Sequence, residues 1–480
     1  MRYATQKWTL LVALAAIPAA AGAAGNYDAS KALGPDLIIP PDLKTVIAST
    51  PAAPKPTPWT GATTLPSDGP ALSTAQPPAE LSYNLQQVVD MAVAHYPPIR
   101  DAMASVGEQQ AGIDVARAGY YPTVQVGVNA GYQGVYGAAP AATASVSQMV
   151  YDFGKTKSAV DSAQSNVYTS QLQVRAETDR VAMQAATAAI ELQRYTALEA
   201  GAQSQLDAVT NLLELAKKRS ALGASNRADP AQAEARVAAA QATLDAMRSQ
   251  VSQYRTRLGT LIGRPVPQGG VVISQDVLKQ AVSGIRPEVE DAVNVQLAMS
   301  MKGTATADLA QAKAQMKPTV QLQAGVNQYL GGKSRNYGPG GHSFMVTIGV
   351  THNIFEGGAR TARVRGASEA LRGADERIRT ERLQAEDERR VYEDQMTSLS
   401  SRMATLDARK ASIVETQKLY KQQYLSLGNR SLLDLLNSEA EVFQAKSDQI
   451  NARHDLWAAE VGYINTTGHM RNVFKLGNAA

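Results

Sequence analysis

Residues 358–427 read GARTARVRGASEALRGADERIRTERLQAEDERRVYEDQMTSLSSRMATLDARKASIVETQKLYKQQYLSL. An apolar or small residue recurs at every seventh position: Val364, Leu371, Ile378, Ala385, Tyr392, Leu399, Leu406, Ile413, Tyr420 and Leu427, with no proline between them. A seven-residue interval keeps one seam facing a partner only if the helix supercoils to the left. The stretch is therefore a coiled-coil rod, at about 1.5 Å per residue roughly 100 Å long. Residues 155–222 repeat the pattern at Val160, Val167, Val174, Val181, Ala188, Tyr195, Ala202, Val209 and Ala216. A compact globular domain has no room for two such rods.

What precedes and follows each rod is also repeated. Leu81 to His95 has Leu85, Val88, Val89, Ala92 and Val93 on one helical face, Tyr96-Pro97-Pro98 breaks it, and Ile99 to Gly119 is a second helix. After Pro122 the period drops to two: Val124, Val126, Val128 and Ala130 oppose Gln125, Gly127, Asn129 and Gly131. A loop rich in Gly, Ala and Pro leads to a second strand, Thr143 to Phe153. In the second half a helix over 288–316 leads through Lys317-Pro318 to Val320, Leu322, Ala324 and Val326, and then to Phe344, Val346, Ile348 and Val350. Both rods end in similar turns, Leu222-Gly223-Ala224-Ser225-Asn226 and Leu427-Gly428-Asn429-Arg430-Ser431. Each glycine can end a helix, and the polar residues after it can cap the next one.

The reading is an internal duplication. The first repeat spans 81–285, with a hairpin over 120–153, a long helix over 155–222 and a returning helix over 230–261. The second spans 286–470, with a hairpin over 318–355, a long helix over 358–427 and a returning helix over 431–466. Residues 471–480 are a C-terminal tail.

Arg2 and Lys7, the apolar run Trp8 to Ile17 and the small residues Ala21-Gly22-Ala23-Ala24 read as a secretory signal peptide over 1–24. Eleven prolines among Ala, Thr and Ser make 25–80 a flexible arm. No later stretch is apolar and long enough for a membrane helix, so an exported chain would cross a membrane with strands. Cysteine is absent, which excludes a disulfide framework and a lipobox anchor. A net charge of +4 over 480 residues, without a basic patch interleaved with aromatics, gives no reason to expect nucleic acid. The five histidines do not cluster at ligand spacing, and no nucleophile elbow or phosphate loop occurs, so the expectation is no catalytic residue, no metal and no cofactor.

Each half supplies one hairpin of strands long enough to cross an outer membrane when tilted. Four strands cannot close a membrane barrel, and open edges in lipid leave backbone groups unpaired, so a membrane reading forces oligomerisation. Tyr120, Tyr121, Tyr132, Tyr136, Tyr151, Phe153, Tyr329, Tyr337 and Phe355 lie near strand ends, where interfacial rings belong. Ordinary hairpins of a soluble protein would show the same alternation.

From Leu81 to His469 the chain resembles the TolC-type outer-membrane channel family. The features that carry the resemblance are the duplicated plan, the entries Ala111 to Pro122 and Ala307 to Pro318, the exits Val150-Tyr151-Asp152-Phe153-Gly154 and Asn353-Ile354-Phe355-Glu356-Gly357, and the tip Gly428 to Leu436. The resemblance implies a mainly α protein with transmembrane β structure. It further implies a homotrimer whose twelve-stranded barrel, four strands per protomer, would continue as an α-helical barrel across the periplasm of a Gram-negative-type envelope. The expected partners are outer-membrane lipid, a periplasmic adaptor and an ATP-driven or proton-driven inner-membrane transporter.

By the same resemblance Arg430 takes the place of an entrance latch with Asp229 as its partner, and Ala228 lacks the hydroxyl that relatives carry there. Asp434 takes the place of a cation-selective ring, whereas Asn437 replaces the second acid. The tip turns that would meet the adaptor contain Gly223, Ala224, Ser225, Asn226, Gly428, Asn429 and Ser431. From the residues alone, Arg430 is also readable as a solvated side chain beside a helix cap, and Asp434 as a first-turn acid that favours the helix N-terminus. The leading expectation is an exit duct for type I protein secretion, since the proline-rich arm and missing lipobox lean that way. Efflux of small molecules is the alternative, and a periplasmic coiled-coil adaptor without a pore is a third reading.

Overall fold

The structure is a computed structural model, and it describes residues 82–130, 132–133, 137–138, 141–223, 225–329, 342–427 and 430–476. The signal peptide and arm read over 1–80, the tip residues Ala224, Gly428 and Asn429, and the loop aromatics Tyr136 and Tyr337 lie outside the described residues.

In chain order the elements are β1 (Tyr83–Asn84), α1 (Leu85–His95), α2 (Pro97–Ala118), β2 (Thr123–Asn129), β3 (Tyr132–Gln133), β4 (Gly137–Ala138), β5 (Ala141–Tyr151), α3 (Lys155–Ala221) and α4 (Ala228–Ile262). There follow β6 (Val271–Val272), α5 (Gln275–Gly284), a 3-10 turn (Val289–Asp291), α6 (Val293–Ala314), β7 (Thr319–Tyr329), β8 (His342–Thr351) and α7 (Ala359–Gln422). A π-helical turn (Gln423–Leu427), α8 (Leu432–Thr466) and α9 (Met470–Phe474) complete the order.

The two rods, α3 and α7, are 67 and 64 residues long. Each begins after a glycine in the left-handed region, Gly154 at φ 93° and Gly358 at φ 82°, which lets the chain turn sharply from strand to helix. Asp152 fixes the first of these corners, its carboxylate accepting from the backbone N–H of Gly154 at 2.9 Å and of Thr156 at 2.6 Å. Lys155 Nζ then donates to Thr319 Oγ1 at 2.6 Å and so ties the start of α3 to β7 of the other repeat.

The helices form a row. α2 and α4 flank α3 on one side, α6 and α8 flank it on the other, and α7 packs on α6 and α8. Burial follows position in the row. α3 buries 19 of its residues, including the seam positions Val174, Val181, Ala188, Ala202, Val209 and Ala216, whereas α7 buries only Ala374, Ile378 and Leu406. α3 is thus central, and α7 is an edge with much of its surface uncovered. α4 attaches to α3 by its own apolar seam, Ala233, Ala240, Leu244, Val251 and Leu258, at steps of seven residues with one step of four.

The main core lies about halfway along α3. Val88, Val89 and Ala92 of α1, Val181, Ala185 and Ala189 of α3, Leu258 and Ile262 of α4, Leu278 of α5, Val461 and Ile464 of α8, and Met470 and Phe474 of α9 pack there. At roughly 1.5–3 kcal/mol for each large apolar side chain removed from water, this layer anchors the row.

The strands form one antiparallel sheet in the order β2-β5-β7-β8, so the two hairpins join through β5 and β7. Register carries the alternation across all four strands. Val124 pairs with Val146, Val146 with Ala324 and Ala324 with Val346, and in the next row Val126, Ala144, Val326 and Phe344 align. The opposite face aligns Thr123, Ser147, Gln323 and Thr347, then Gln125, Ser145, Gly325 and Met345, and then Gly127, Thr143, Asn327 and Ser343, so Met345 is the one large apolar side chain in these three rows. The apolar face is uncovered, with Val128 72% and Phe344 80% exposed, and the outer edges of β2 and β8 pair with no other strand among the described residues. No helix among the described residues is long and apolar enough to cross a membrane.

Four details differ from the sequence reading. The segment between β2 and β5, read as a loop, contains the short antiparallel pair β3–β4. The returning helix expected from Pro230 starts at Ala228, because proline fits the first turn, where its missing N–H has no helical acceptor. Residues 262–286, given no element from sequence, hold β6 and α5, and β6 pairs in parallel with β1. Finally, the tail read over 471–480 begins as helix, because Met470, Phe474 and Leu476 are buried apolar anchors.

Candidate functional site at the helix turns

Both rods run from the sheet to a pair of turns at their far ends. At the first, Gly223 adopts φ 70° and its N–H donates to the Ser220 carbonyl at 3.0 Å, which ends α3. Asn226 Oδ1 then accepts from the N–H of Ala228 at 3.3 Å, and Asp229 sits in the first turn of α4. The Ser225 hydroxyl is buried and has no hydrogen-bond partner among the described residues.

At the second turn, Ser431 and Asp434 form a reciprocal cap. The Asp434 N–H donates to Ser431 Oγ at 3.1 Å, and the Ser431 N–H donates to Asp434 Oδ2 at 3.3 Å. Asp434 therefore serves the helix N-terminus, while remaining partly exposed. Arg430 is held from three sides: Nε donates to Gln423 Oε1 at 2.9 Å, the guanidinium lies 4.2 Å from the centre of the Tyr420 ring, and Nη1 is 3.7 Å from Asp434. Stacking on an aromatic face suits the planar guanidinium.

Within the protomer Arg430 does not pair with Asp229. Asp229 instead lies close enough to Tyr424 for its charge to act on the phenol. Tyr424 is buried, and that burial pushes its hydroxyl pKa up, against the effect of nearby Arg219. Arg219 covers the Tyr424 ring at 4.5 Å and donates through Nη1 to the Tyr424 carbonyl at 3.2 Å. The π-helical turn is where Tyr424 enters a second, separate core with Val209, Leu212, Leu213, Ala216, Ala233, Leu432, Leu435 and Leu436. α4 reaches α8 directly here, since Arg236 Nη2 donates to Asn437 Oδ1 at 3.1 Å.

The sequence reading missed Arg219, Arg236 and Tyr424. Tyr424 stands four residues after the seam position Tyr420, which is the one signal that marked it. Leu222, Leu425 and Leu433 stay exposed around the turns, so the tip presents apolar surface beside its charges. No group of three His, Asp or Glu residues among the described residues is placed to hold a metal ion.

The sequence model of the outer membrane efflux protein family matches residues 88–264 and 301–469. The outer membrane efflux protein BepC of Brucella suis biovar 1 (strain 1330) is 24% identical over 411 residues, covering 82% of this chain and 87% of that one. Among solved structures, CusC superposes with a TM-score of 0.70 at 17% identity, over 82% of this chain and 95% of its own. The outer membrane protein VceC of Vibrio cholerae gives 0.69 at 19% identity, over 80% and 96%. The paired rods, the four-stranded amphipathic sheet and the two tip turns are thus those of a known fold, and the chain belongs to the outer membrane efflux protein family, the TolC type.

Proposed function

We propose that three copies of the chain close into one passive exit duct for small molecules. Channels of this family are non-catalytic conduits in the outer membrane with a periplasmic extension, and the chain is not an enzyme. They generally act as homotrimers with a periplasmic adaptor and an inner-membrane transporter. The observation that carries the trimer reading is the pair of unpaired edges, β2 and β8, on a sheet that is apolar on one face and polar on the other. Lipid tolerates no unpaired edge, so β8 of one copy meets β2 of the next. The helix row supports the same closure, because α7 follows β8 and ends the row on one side, and α2 leads into β2 and ends it on the other. In this reading the duplicated halves, 81–285 and 286–470, each contribute one hairpin and one rod to the ring.

Small-molecule efflux is preferred to polypeptide secretion because both the matching family and the Brucella relative are named for efflux. The polar sheet face adds a physical reason, since its aligned Thr, Ser, Gln, Asn and Gly carry no charge that would sort solutes in the barrel. Selection then falls to the tip and to the partners. There Arg430 would reach Asp229 of a neighbouring copy as a latch, Asp434 would form a threefold acidic ring, and Gly223, Ser225, Asn226 and Ser431, with exposed Leu222 and Leu425, would meet the adaptor.

Native mass spectrometry in detergent and planar-bilayer recording test the duct: a trimer that conducts supports it, and a stable monomer that is electrically silent refutes it. Deleting the gene tests the cargo. Greater susceptibility to small toxic compounds is expected, whereas unchanged susceptibility with loss of one exported polypeptide would restore the secretion reading.

A further inference from the structure

One exposed stripe of α8 starts at the cap. Asp434, Asn437, Glu441 and Gln444 are spaced by three or four residues and share a face, while Leu435, Leu436, Val442 and Ala445 are buried. Acids recur along this stripe every seventh position, at Asp434, Glu441, Asp448 and Asp455. Their surroundings differ. Arg409 Nη1 of α7 holds Asp448 at 2.7 Å and Arg194 Nη2 of α3 holds Asp455 at 2.7 Å, so each of these is neutralised by a neighbouring rod. Asp434 caps its own helix and lies 3.7 Å from Arg430. Glu441 is exposed and makes no ion pair or hydrogen bond among the described residues. Between Asp434 and Glu441 stands Asn437, which binds not an acid but the guanidinium of Arg236.

We propose that Glu441 and Arg236 are specificity-determining residues of the conduit. Glu441 supplies a second carboxylate tier about 10.5 Å along the helix from Asp434, and Arg236, fixed by Asn437, sets a positive charge between the two. This rests on the reading that the Asp434 face lines the passage. The spacing of the tiers is close to the screening length of about 10 Å at 0.1 M salt, so they act as nearly separate rings there and reinforce each other in dilute salt. A cation entering past Asp434 meets a barrier at Arg236 before the next favourable ring.

Reversal potentials of the trimer in planar bilayers under a KCl gradient test this. Glu441→Gln, a change at an exposed position that leaves the fold intact, should lower the cation-to-anion permeability ratio by roughly a factor of two in dilute salt, and the effect should fade near 1 M. Arg236→Gln should raise the ratio, and Arg236→Lys, which keeps the charge, should leave it near that of the unsubstituted channel. If Asp434→Asn lowers the ratio but Glu441→Gln does not, the second tier is wrong and the ring stands. If neither changes it, the face does not line the passage and the underlying reading falls with it. An Arg236→Gln channel whose ratio equals that of the unsubstituted channel would remove Arg236 from the filter.

Discussion

The ring of Tyr392 on α7 occupies the space that a side chain at Gly462 on α8 would need: a Cβ there would lie under 3 Å from the phenol oxygen and closer still to ring carbons. Tyr392 is one of the seven-residue seam positions of α7, a helix that buries only three residues of its own. Seating one aromatic knob over a glycine is how this edge rod gains close contact with α8. Gly462→Ala should overpack the seam and cost about 1–3 kcal/mol. The readout is a lower dissociation temperature of the detergent-solubilised protein with faster hydrogen exchange along α7. Pairing it with Tyr392→Leu should restore much of the loss, and an unchanged melting temperature for Gly462→Ala would mean that the seam yields freely.

Arg430 is held within its own protomer by Gln423, Tyr420 and Asp434, none of which is Asp229. If a contact between copies closes the entrance, Arg430 must be presented to the neighbour from this cradle. Arg430→Ser should therefore raise single-channel conductance and opening frequency. Tyr420→Leu, which removes the ring beneath the guanidinium, should do so more weakly, because a cation–π contact at an exposed site is worth about 0.5–1 kcal/mol. Equal conductance in all three channels would leave Arg430 without a gating role.

The rods were legible because burial in them is periodic: Val174, Val181, Ala188, Val209 and Ala216 are apolar for the reason that each faces a partner helix. The seam of α7 was equally clear in sequence, yet of its nine positions from Val364 to Tyr420 only Ile378 and Leu406 are buried in the protomer, which is what an edge awaiting another copy would show. The Ser431–Asp434 cap was readable because a cap is local, three residues apart. Arg219 with Tyr424 and Arg236 with Asn437 were not, since they join residues about two hundred positions apart through tertiary packing that no local pattern encodes. β1 and β6 escaped for another reason. A two-residue strand has no period to detect.

Neighbouring residues of β8 provide a test of which sheet face meets lipid. Val346 belongs to the apolar row with Ala324, Val146 and Val124, and Thr347 belongs to the polar row with Gln323, Ser147 and Thr123. Arginine at a lipid-facing midplane position costs about 2–4 kcal/mol, whereas on the water side it costs little. Val346→Arg should sharply reduce the yield of heat-resistant oligomer recovered from outer membranes. Thr347→Arg should assemble normally and shift the channel toward anions. The opposite outcome would invert the sheet.

Glu460 of α8 is 6% exposed, and burial raises its pKa to about 7, with Lys279 of α5 opposing the rise. A carboxyl whose folded pKa exceeds its unfolded value adds stability that is complete below the unfolded pKa and is lost as pH rises through the folded one. Stability should thus increase as pH falls through 7 toward 4.5. Asp179 of α3, raised by burial to about 6 against the charges of Arg471 and Arg175, adds to this increase below pH 6. His454 acts in the other direction. Burial lowers its pKa to about 4, so its contribution is present above the unfolded value and is lost as pH falls toward 4. The two acids outweigh the histidine between pH 6 and 4.5, so the three together make the protein more stable in acid than at pH 8. Glu460→Gln removes the Glu460 carboxyl, whose shift corresponds to roughly 3 kcal/mol accrued between pH 7 and 4.5. Its melting temperature at pH 8 should exceed that of the unsubstituted protein, and the two should converge near pH 5. Parallel curves from pH 8 to pH 5 would mean that Glu460 meets water or a countercharge in the assembled channel.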